Sequence, residues 1–217
     1  MAEETTSVVG KIKNWLFFMF FIFPLIFSCK TTSSMSFNLE SLSAGKDAKS
    51  YIYKIESGDN SISNDDLMFV KLKNILNESL VKNGFYVTDS EEEANAIIEF
   101  TAKISDPIKN TETTSITVAG ENKVRTYQLN DTYRKTVILN VKEFNPQTKQ
   151  KGSALWKMTV SSEDIHENMQ YCLNKFVLGM EKYYGQDTNG RKTALVEVEF
   201  DISGNELKEI KTEVRVN

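Results

Sequence analysis

Large apolar residues alternate with polar residues over several short stretches of the chain, which is the pattern of strands that are buried on one face. The stretches 51–55, 94–106, 133–144 and 153–160 follow this pattern, and Pro107 ends the second of them. The last two stretches flank the turn sequence NPQTKQKG. We therefore expect those two to pair as a β-hairpin.

Two longer stretches place apolar residues every three or four positions, which predicts two amphipathic helices. The first helix is expected at about 65–82, with Asn64 as its N-terminal cap and Gly84 as the left-handed residue that ends it. The second is expected to begin after Ser161 or Ser162. The expected core positions are Met68, Leu72, Ile75, Leu76, Ser79 and Leu80 in the first helix, and Ile165, Met169, Cys172, Leu173, Phe176, Val177 and Met180 in the second.

The order of these elements is strand, helix, several strands, helix and a last hairpin. This order predicts an α+β fold, a two-layer sandwich in which the two helices pack on one face of a mostly antiparallel sheet. A strand-helix-strand crossover near the start would add one parallel pair. An extra hairpin is expected at about 111–130, and a C-terminal hairpin at 192–217.

The most apolar stretch is 15–27, and it is shorter than the roughly 20 residues that a helix needs to cross a bilayer. Lys11 and Lys13 precede it, and it ends in the sequence Ile26-Phe27-Ser28-Cys29. A basic start, a short apolar segment and a small residue at the end indicate a secretory signal. An uncleaved membrane anchor and a buried helix are the two alternatives.

The ending IFSC resembles the lipobox of bacterial lipoproteins, in which the cysteine is lipidated. This resemblance implies a diacylglyceryl thioether and an amide-linked acyl chain, such as palmitate, on Cys29, and several chains anchor a protein stably. Lys30 rather than Asp follows the cysteine, which by analogy favours the outer membrane of the cell envelope. The expected organisation is a signal peptide at 1–28, the lipidated cysteine with a flexible tether at 29–48, and a single domain at 49–217.

The charge and the cysteine count of the chain limit which partners and disulfides it can have. The 217 residues carry a formal net charge of −4, and a pI near 5.3 gives no basic footprint for nucleic acid. The chain has two cysteines, so with Cys29 lipidated, Cys172 has no disulfide partner. We expect Cys172 to be a buried core residue.

Three groups of polar residues could form a chemical site, but none has the spacing and residue types that such a site needs. Asp59, Ser61, Ser63 and Asp65 have the spacing of a calcium loop, but the loop lacks the central glycine and the closing glutamate. Asp164, His166, Glu167 and Cys172 do not share one helical face, and the consecutive Glu91, Glu92 and Glu93 point in different directions. We therefore predict that the chain is not an enzyme and has no catalytic residue, metal site or cofactor.

The region 51–184 resembles the bacterial lipoprotein family catalogued as domain of unknown function 4136. The resemblance rests on an early YxY strand, a helix ending LVKNGFYV, the strand EEANAIIEF and the hairpin LNVKEFNPQTKQKGSALWKMTV. Asn95 and Asn145 stand where the family has acidic residues. The family implies a secreted, lipid-anchored α+β domain, and it implies no activity.

These observations predict a lipid-anchored envelope protein that acts as a non-catalytic interaction or assembly module. The loose hairpin from Thr113 to Leu129 is the expected contact with an envelope protein partner, because functional contacts concentrate on exposed loops. The alternative is a carrier or receptor that faces the periplasm and holds an apolar ligand between the helices and the sheet. The positions of the aromatic residues favour packing in the core, although any exposed ones would suit a ligand groove or a partner surface. The aromatic residues in question are Tyr51, Tyr53, Phe85, Tyr86, Trp156, Phe176, Tyr183 and Tyr184.

Overall fold

The structure is a computed structural model that describes residues 30–118, 121–203 and 206–217. Ten strands and two α-helices lie in these ranges. They are β1 (Lys30–Ser43), β2 (Ile52–Ser57), α1 (Leu67–Lys82), β3 (Tyr86–Val87), β4 (Ala96–Ile104), β5 (Thr111–Val118), β6 (Glu121–Gln128), β7 (Tyr133–Asn145), β8 (Gln150–Asp164), α2 (Met169–Met180), β9 (Lys192–Ser203) and β10 (Glu206–Val216). Short 3-10 turns at Ala48–Ser50 and Glu181–Tyr183 complete the regular structure.

Eight of the strands form one mixed sheet in the order β10-β9-β1-β8-β7-β4-β2-β3, and β5 and β6 form a separate two-stranded sheet. The pairs β1–β8, β7–β8 and β4–β7 are antiparallel, whereas β2 is parallel to both β3 and β4. The parallel pairs follow from α1, because a helix between β2 and β3 returns the chain to the same end of the sheet.

The core of the sheet is made by residues that share a register across β4, β7 and β8. Leu139 of β7 lies opposite Phe100 of β4 and Met158 of β8, and all three are buried. Alternate residues along each strand point to one face, so the next buried row lies two positions further along. That row is Ile98, Val141 and Trp156.

The predicted fold class is wrong. The chain is built around one eight-stranded mixed sheet rather than being a sandwich of two helices on a mostly antiparallel sheet. Two features of the chain account for the difference. A strand precedes those that the alternation indicated, and β8 continues to Asp164 through residues that were assigned to the second helix.

The predicted flexible tether at 29–48 is replaced by strand β1 over Lys30–Ser43. Residues 38–43 of β1 pair with β8, with Asn38 opposite Ser161 and Ser43 opposite Trp156. Met35, Phe37 and Leu39 alternate with polar residues, and all three are buried. Because the residues around them are small and polar, the segment was predicted to be a flexible tether, although such alternation is the pattern of a half-buried strand.

Both helices begin later than the sequence predicts. Asp66 rather than Asn64 caps α1, and Asn168 rather than Ser161 or Ser162 caps α2, where its side chain accepts a hydrogen bond from the Tyr171 amide. The residues that α1 buries are Phe69, Leu72, Leu76, Ser79 and Leu80, whereas Met68 of the predicted stripe is exposed. Gly84 has a φ of +82°, which confirms its place as the left-handed residue after α1.

The extra hairpin and the C-terminal hairpin are both present as paired strands. In the extra hairpin, Thr111 pairs with Gln128 and Val118 pairs with Glu121, while residues 119–120 between the two strands lie outside the described residues. The second consists of β9 and β10, which are neighbours in the large sheet, and its tip at 204–205 is likewise outside them.

The chain divides into two compact units. The larger comprises residues 35–196 and 214–217 and contains both helices; of the described residues, the smaller holds 30–34, 197–203 and 206–213, which belong to β1, β9 and β10. No helix in the described part of the chain is both long enough and apolar enough to cross a membrane. Cys29 and the apolar stretch at 15–27 lie outside that part.

Four aromatic side chains in the larger unit confirm the prediction of core packing. The ring centroids of Tyr53 lie 5.8 Å from Phe85 and 6.5 Å from Trp156, and those of Phe85 and Tyr184 lie 5.9 Å apart. All four residues are buried. Of the other expected aromatics, Phe176 is buried, Tyr51 and Tyr183 are half-buried, and Tyr86 is 69% exposed.

Candidate functional site

The loop 58–66 joins β2 to α1 and is held by its own polar side chains. The Asp59 carboxylate accepts hydrogen bonds from the Ser61 amide (3.0 Å) and the Ser61 hydroxyl (2.6 Å). Asn64 accepts a hydrogen bond from the Ser57 amide at the end of β2 (2.6 Å). Asn, Asp and Ser side chains commonly bond to backbone in this way, which explains why they are concentrated in this loop.

Gly58 lets this loop lie close to β4. Its amide donates to the Phe100 carbonyl (2.9 Å), and a Cβ at this position would lie 2.4 Å from the Thr101 hydroxyl. A side chain here would therefore push the loop away from the strand. The approach also brings Lys103 of β4 within 3.0 Å of the Asp59 carboxylate.

Asp66 fixes the start of α1 beside the same loop. One oxygen of its carboxylate accepts from the amides of Met68 and Phe69, both at 2.9 Å. These bonds satisfy two amides that have no partner inside the helix. The cap also sets the first turn of α1 so that Phe69 points inward, while Met68 remains 54% exposed.

A cleft of about 550 Å³ lies between the loop, the start of α1 and the middle of β4. Its floor is apolar and includes Phe69, Leu72 and Phe100, and the rings of Phe69 and Phe100 are 5.9 Å apart. Its rim is polar. The rim residues are Ser57, Asp59, Ser61, Ser63, Asp65, Asp66 and Thr101.

The charges at this rim have different environments. The hydrogen bonds from Ser61, followed by the interaction with Lys103, hold the pKa of Asp59 well below its usual range. Asp66 is used by the helix cap. The Asp65 carboxylate has no ion-pair partner among the residues that the structure describes.

A second cluster surrounds a fully buried lysine in β7. The Lys135 ammonium is paired with the Asp164 carboxylate and donates to the carbonyls of Asp164 (3.3 Å) and His166 (2.7 Å). The Asp164 carboxylate also accepts from the His166 amide (2.8 Å). Three acceptors thus satisfy the three donors of the ammonium, and they hold the segment that leads from β8 to α2.

An open polar depression of about 690 Å³ lies next to this segment and includes Tyr133, His166, Glu167 and Tyr171. The Tyr133 hydroxyl donates to the Glu167 carboxylate, which raises the pKa of Tyr133. The His166 ring lies against Tyr171, with 4.8 Å between their centroids. These contacts fix the side chains to one another.

Cys172 is buried on α2, as the sequence predicts. Burial raises the pKa of its thiol to about 11. The thiolate is the nucleophilic form, so this thiol is weakly reactive at neutral pH. His166 precedes α2 rather than lying on it, because the helix begins at Met169.

The other candidates do not gather into a site. The hydrogen bonds from Ser61 already occupy Asp59 of the loop that was considered for calcium, and no three His, Cys, Asp or Glu side chains of the described residues lie together as metal ligands would. Glu91 forms ion pairs with Lys54 (3.6 Å) and Lys149 (3.5 Å), while Glu93 accepts from Thr88 (2.9 Å). Such exposed pairs contribute little to stability.

The cleft was not predicted, because the polar residues of the loop 58–66 were considered only as a calcium loop and then set aside. One signal was available, since Ile62, Leu67 and Met68 are apolar residues next to a run of Asp and Ser. Position 68 was assigned to the core stripe of the helix, and only the later start of α1 turns it toward the cleft opening.

No family model matches the chain. No curated protein matches it either. The resemblance to the domain of unknown function 4136 family stays a prediction.

Two solved structures show a distant likeness. A PDZ domain protein from Parabacteroides distasonis is 12% identical with a TM-score of 0.45, over 83% of this chain and 44% of that chain. A PelC dodecamer from Paraburkholderia phytofirmans is 9% identical with a TM-score of 0.35, over 69% of this chain and 92% of that chain. The chain thus spans less than half the length of the Parabacteroides protein, and neither likeness carries an argument about function.

Proposed function

We propose that the chain is a lipid-anchored protein of the bacterial cell envelope, held at the outer membrane through Cys29. The observation that carries the proposal is the sequence Ile26-Phe27-Ser28-Cys29 at the end of a short apolar stretch with lysines before it. A lipid on Cys29 would lie one residue before the start of β1 at Lys30. The anchor would then be joined almost directly to the folded part of the chain.

The folded part acts as an interaction module rather than an enzyme in this proposal. The environments of Cys172 and His166, which belong to residue types that often act in catalysis, support this role. The Cys172 thiol is buried with a raised pKa, and the His166 ring is packed against Tyr171. The antiparallel pair β5 and β6 is the proposed contact with an envelope partner.

The anchor is tested by the intact mass of the protein extracted from membranes. We expect a mass that begins at Cys29 and includes a diacylglyceryl group and an acyl chain. The Cys29→Ala variant should lose both additions, with Cys172→Ala as the matched control that keeps them. A wild-type mass that still includes residues before Cys29 would contradict the lipoprotein assignment.

The cleft favours a second candidate function, that of a carrier or receptor for an apolar ligand. Its volume lies within the range of about 300–1,000 Å³ that is usual for small-molecule sites, and its floor is apolar. The neutral probe 4-phenylbutan-1-ol should bind the wild type and bind Ala102→Phe much more weakly, because Ala102 lines the cleft. Equal binding to a folded Ala102→Phe variant would contradict this function.

A further inference from the structure

We propose that the cleft between α1, β4 and the loop 58–66 binds a small amphiphilic cation, an apolar body that ends in an ammonium group. This inference rests on the second candidate function and names the ligand class. It follows from three features of the cleft, namely its floor, its rim and the one carboxylate that is not already used.

The floor suits an apolar body. The rings of Phe69 and Phe100 are tilted by 38° with 5.9 Å between their centroids, and Leu72 completes the buried surface. Met68, with an adaptable thioether side chain, lies at the opening. The floor therefore takes up the apolar body of a ligand, and the preference for one charge over another comes from the rim.

The rim is negative. Three of the described residues that line the cleft are aspartates, and none of the described lining residues is basic. Lys103 is paired with Asp59, and Asp66 accepts from the first amides of α1, so Asp65 carries the uncompensated negative charge of the rim. That charge attracts a cation in the cleft and repels an anion of the same shape.

Asp65 is the carboxylate that is available to a ligand. Asp59 is occupied by Ser61 and Lys103, and Asp66 by the amides of α1. Asp65 accepts no hydrogen bond and forms no ion pair with any residue in the described ranges. Because it is exposed at the rim, binding there leaves the cap of α1 and the loop bonds intact.

The test compares three probes with one apolar body, namely 4-phenylbutylammonium, 4-phenylbutan-1-ol and 4-phenylbutanoate. The full chain is held in phosphatidylcholine nanodiscs and titrated by calorimetry, with empty nanodiscs to correct for partition into lipid. The ammonium should bind about fivefold more tightly than the alcohol, the scale of one partly exposed ion pair, and the carboxylate should bind more weakly than both. Raising the salt concentration should weaken only the ammonium.

Variants assign the preference to the rim. Asp65→Asn should bring the affinities for ammonium and alcohol close together without changing the affinity for the alcohol. Asp106→Asn is the matched control, because Asp106 is exposed and does not line the cleft. That variant should keep the wild-type preference.

The outcomes distinguish a failure of the preference for a cation from a failure of the carrier function. If alcohol and carboxylate bind as tightly as the ammonium, the cation inference is overturned while the carrier function stands. A preference that survives Asp65→Asn overturns the inference too, because the preference then comes from lipid or from another surface. If no probe binds, the carrier function fails and the inference fails with it.

Discussion

At the scale of single residues, Lys135 is a charged side chain that is fully buried. A buried ammonium is costly unless it is paired and hydrogen-bonded, and this one is compensated by a carboxylate and two carbonyls. Removal of the carboxylate would leave the charge buried, whereas removal of the lysine would leave a partly exposed aspartate that still accepts from Ser162 and His166. The two partners are therefore not equivalent.

We predict that Asp164→Asn destabilises the protein by about 3 kcal/mol, and that Lys135→Met costs less than half as much. The free energy of unfolding in guanidinium chloride measures both. Arg134→Met is a control on an exposed pair with Glu163 and should cost less than about 1 kcal/mol. If Lys135→Met proves the more damaging change, the account of an asymmetric pair is wrong.

The lysine also shows what the sequence could reveal at this scale. Lys135 is two positions before Val137 on β7, so the alternation already places it on the buried face. Its partner could not be predicted, because Asp164 was assigned to the start of a helix. Only the pairing of β7 with β8, which puts Lys135 opposite Ser162, brings the two groups together.

At the scale of elements, α2 lies unusually close to two strands. A Cβ added to Gly179 would lie 2.6 Å from the Phe37 ring of β1 and 3.2 Å from the Ala194 side chain of β9. Phe37 in turn packs edge-on against Phe176 of the same helix, with 4.9 Å between ring centroids. The glycine, a poor helix former, is thus explained by packing rather than by backbone conformation.

We predict that Gly179→Ala destabilises the protein by about 1 kcal/mol or more, because overpacking outweighs the gain in helix propensity. Asn174→Ala on the exposed side of α2 is the matched control and should be neutral or slightly stabilising. Thermal unfolding of the two variants decides the point. A stabilised Gly179→Ala would show that the ring of Phe37 can move aside without cost.

Helices and hairpins were easier to predict than the sheet that they join. The interiors of α1 and α2 follow from periodicity, and β7 and β8 follow from strict alternation around a turn. The helix starts were missed because Asn64, Asp66, Ser162 and Asn168 are all suitable caps by type. Local preference does not decide which of several neighbouring residues caps a helix. For α2, the choice follows from the pairing of β8 as far as Asp164, which keeps the residues before that point in the strand.

At the scale of the whole chain, the strands differ in how extensively they are paired with neighbours. The strand β7 is paired along both of its edges, with β4 on one side and β8 on the other. Among the described residues, β5 and β6 form a two-stranded sheet of their own. A two-stranded ribbon by itself is marginally stable in water.

We predict that the amides of Leu139 and Val141 exchange with deuterium only through global unfolding, while those of 111–118 exchange orders of magnitude faster through local opening. Hydrogen exchange followed by mass spectrometry measures both in one sample, so each region is the reference for the other. Equal protection in the two regions would mean that the β5–β6 pair is stabilised by contacts beyond its own ladder.

The place of β1 in the sheet has a consequence for the order of synthesis. β1 is made first among the described strands, yet its neighbours β8 and β9 are among the last. At about 5–20 residues per second, a ribosome leaves β1 without those neighbours for several seconds. Throughout that interval Met35, Phe37 and Leu39 expose an apolar face, and the backbone edges of β1 are open to wrong pairing. A chaperone that covers this strand until β8 and β9 are available would therefore protect the protein when it is most vulnerable.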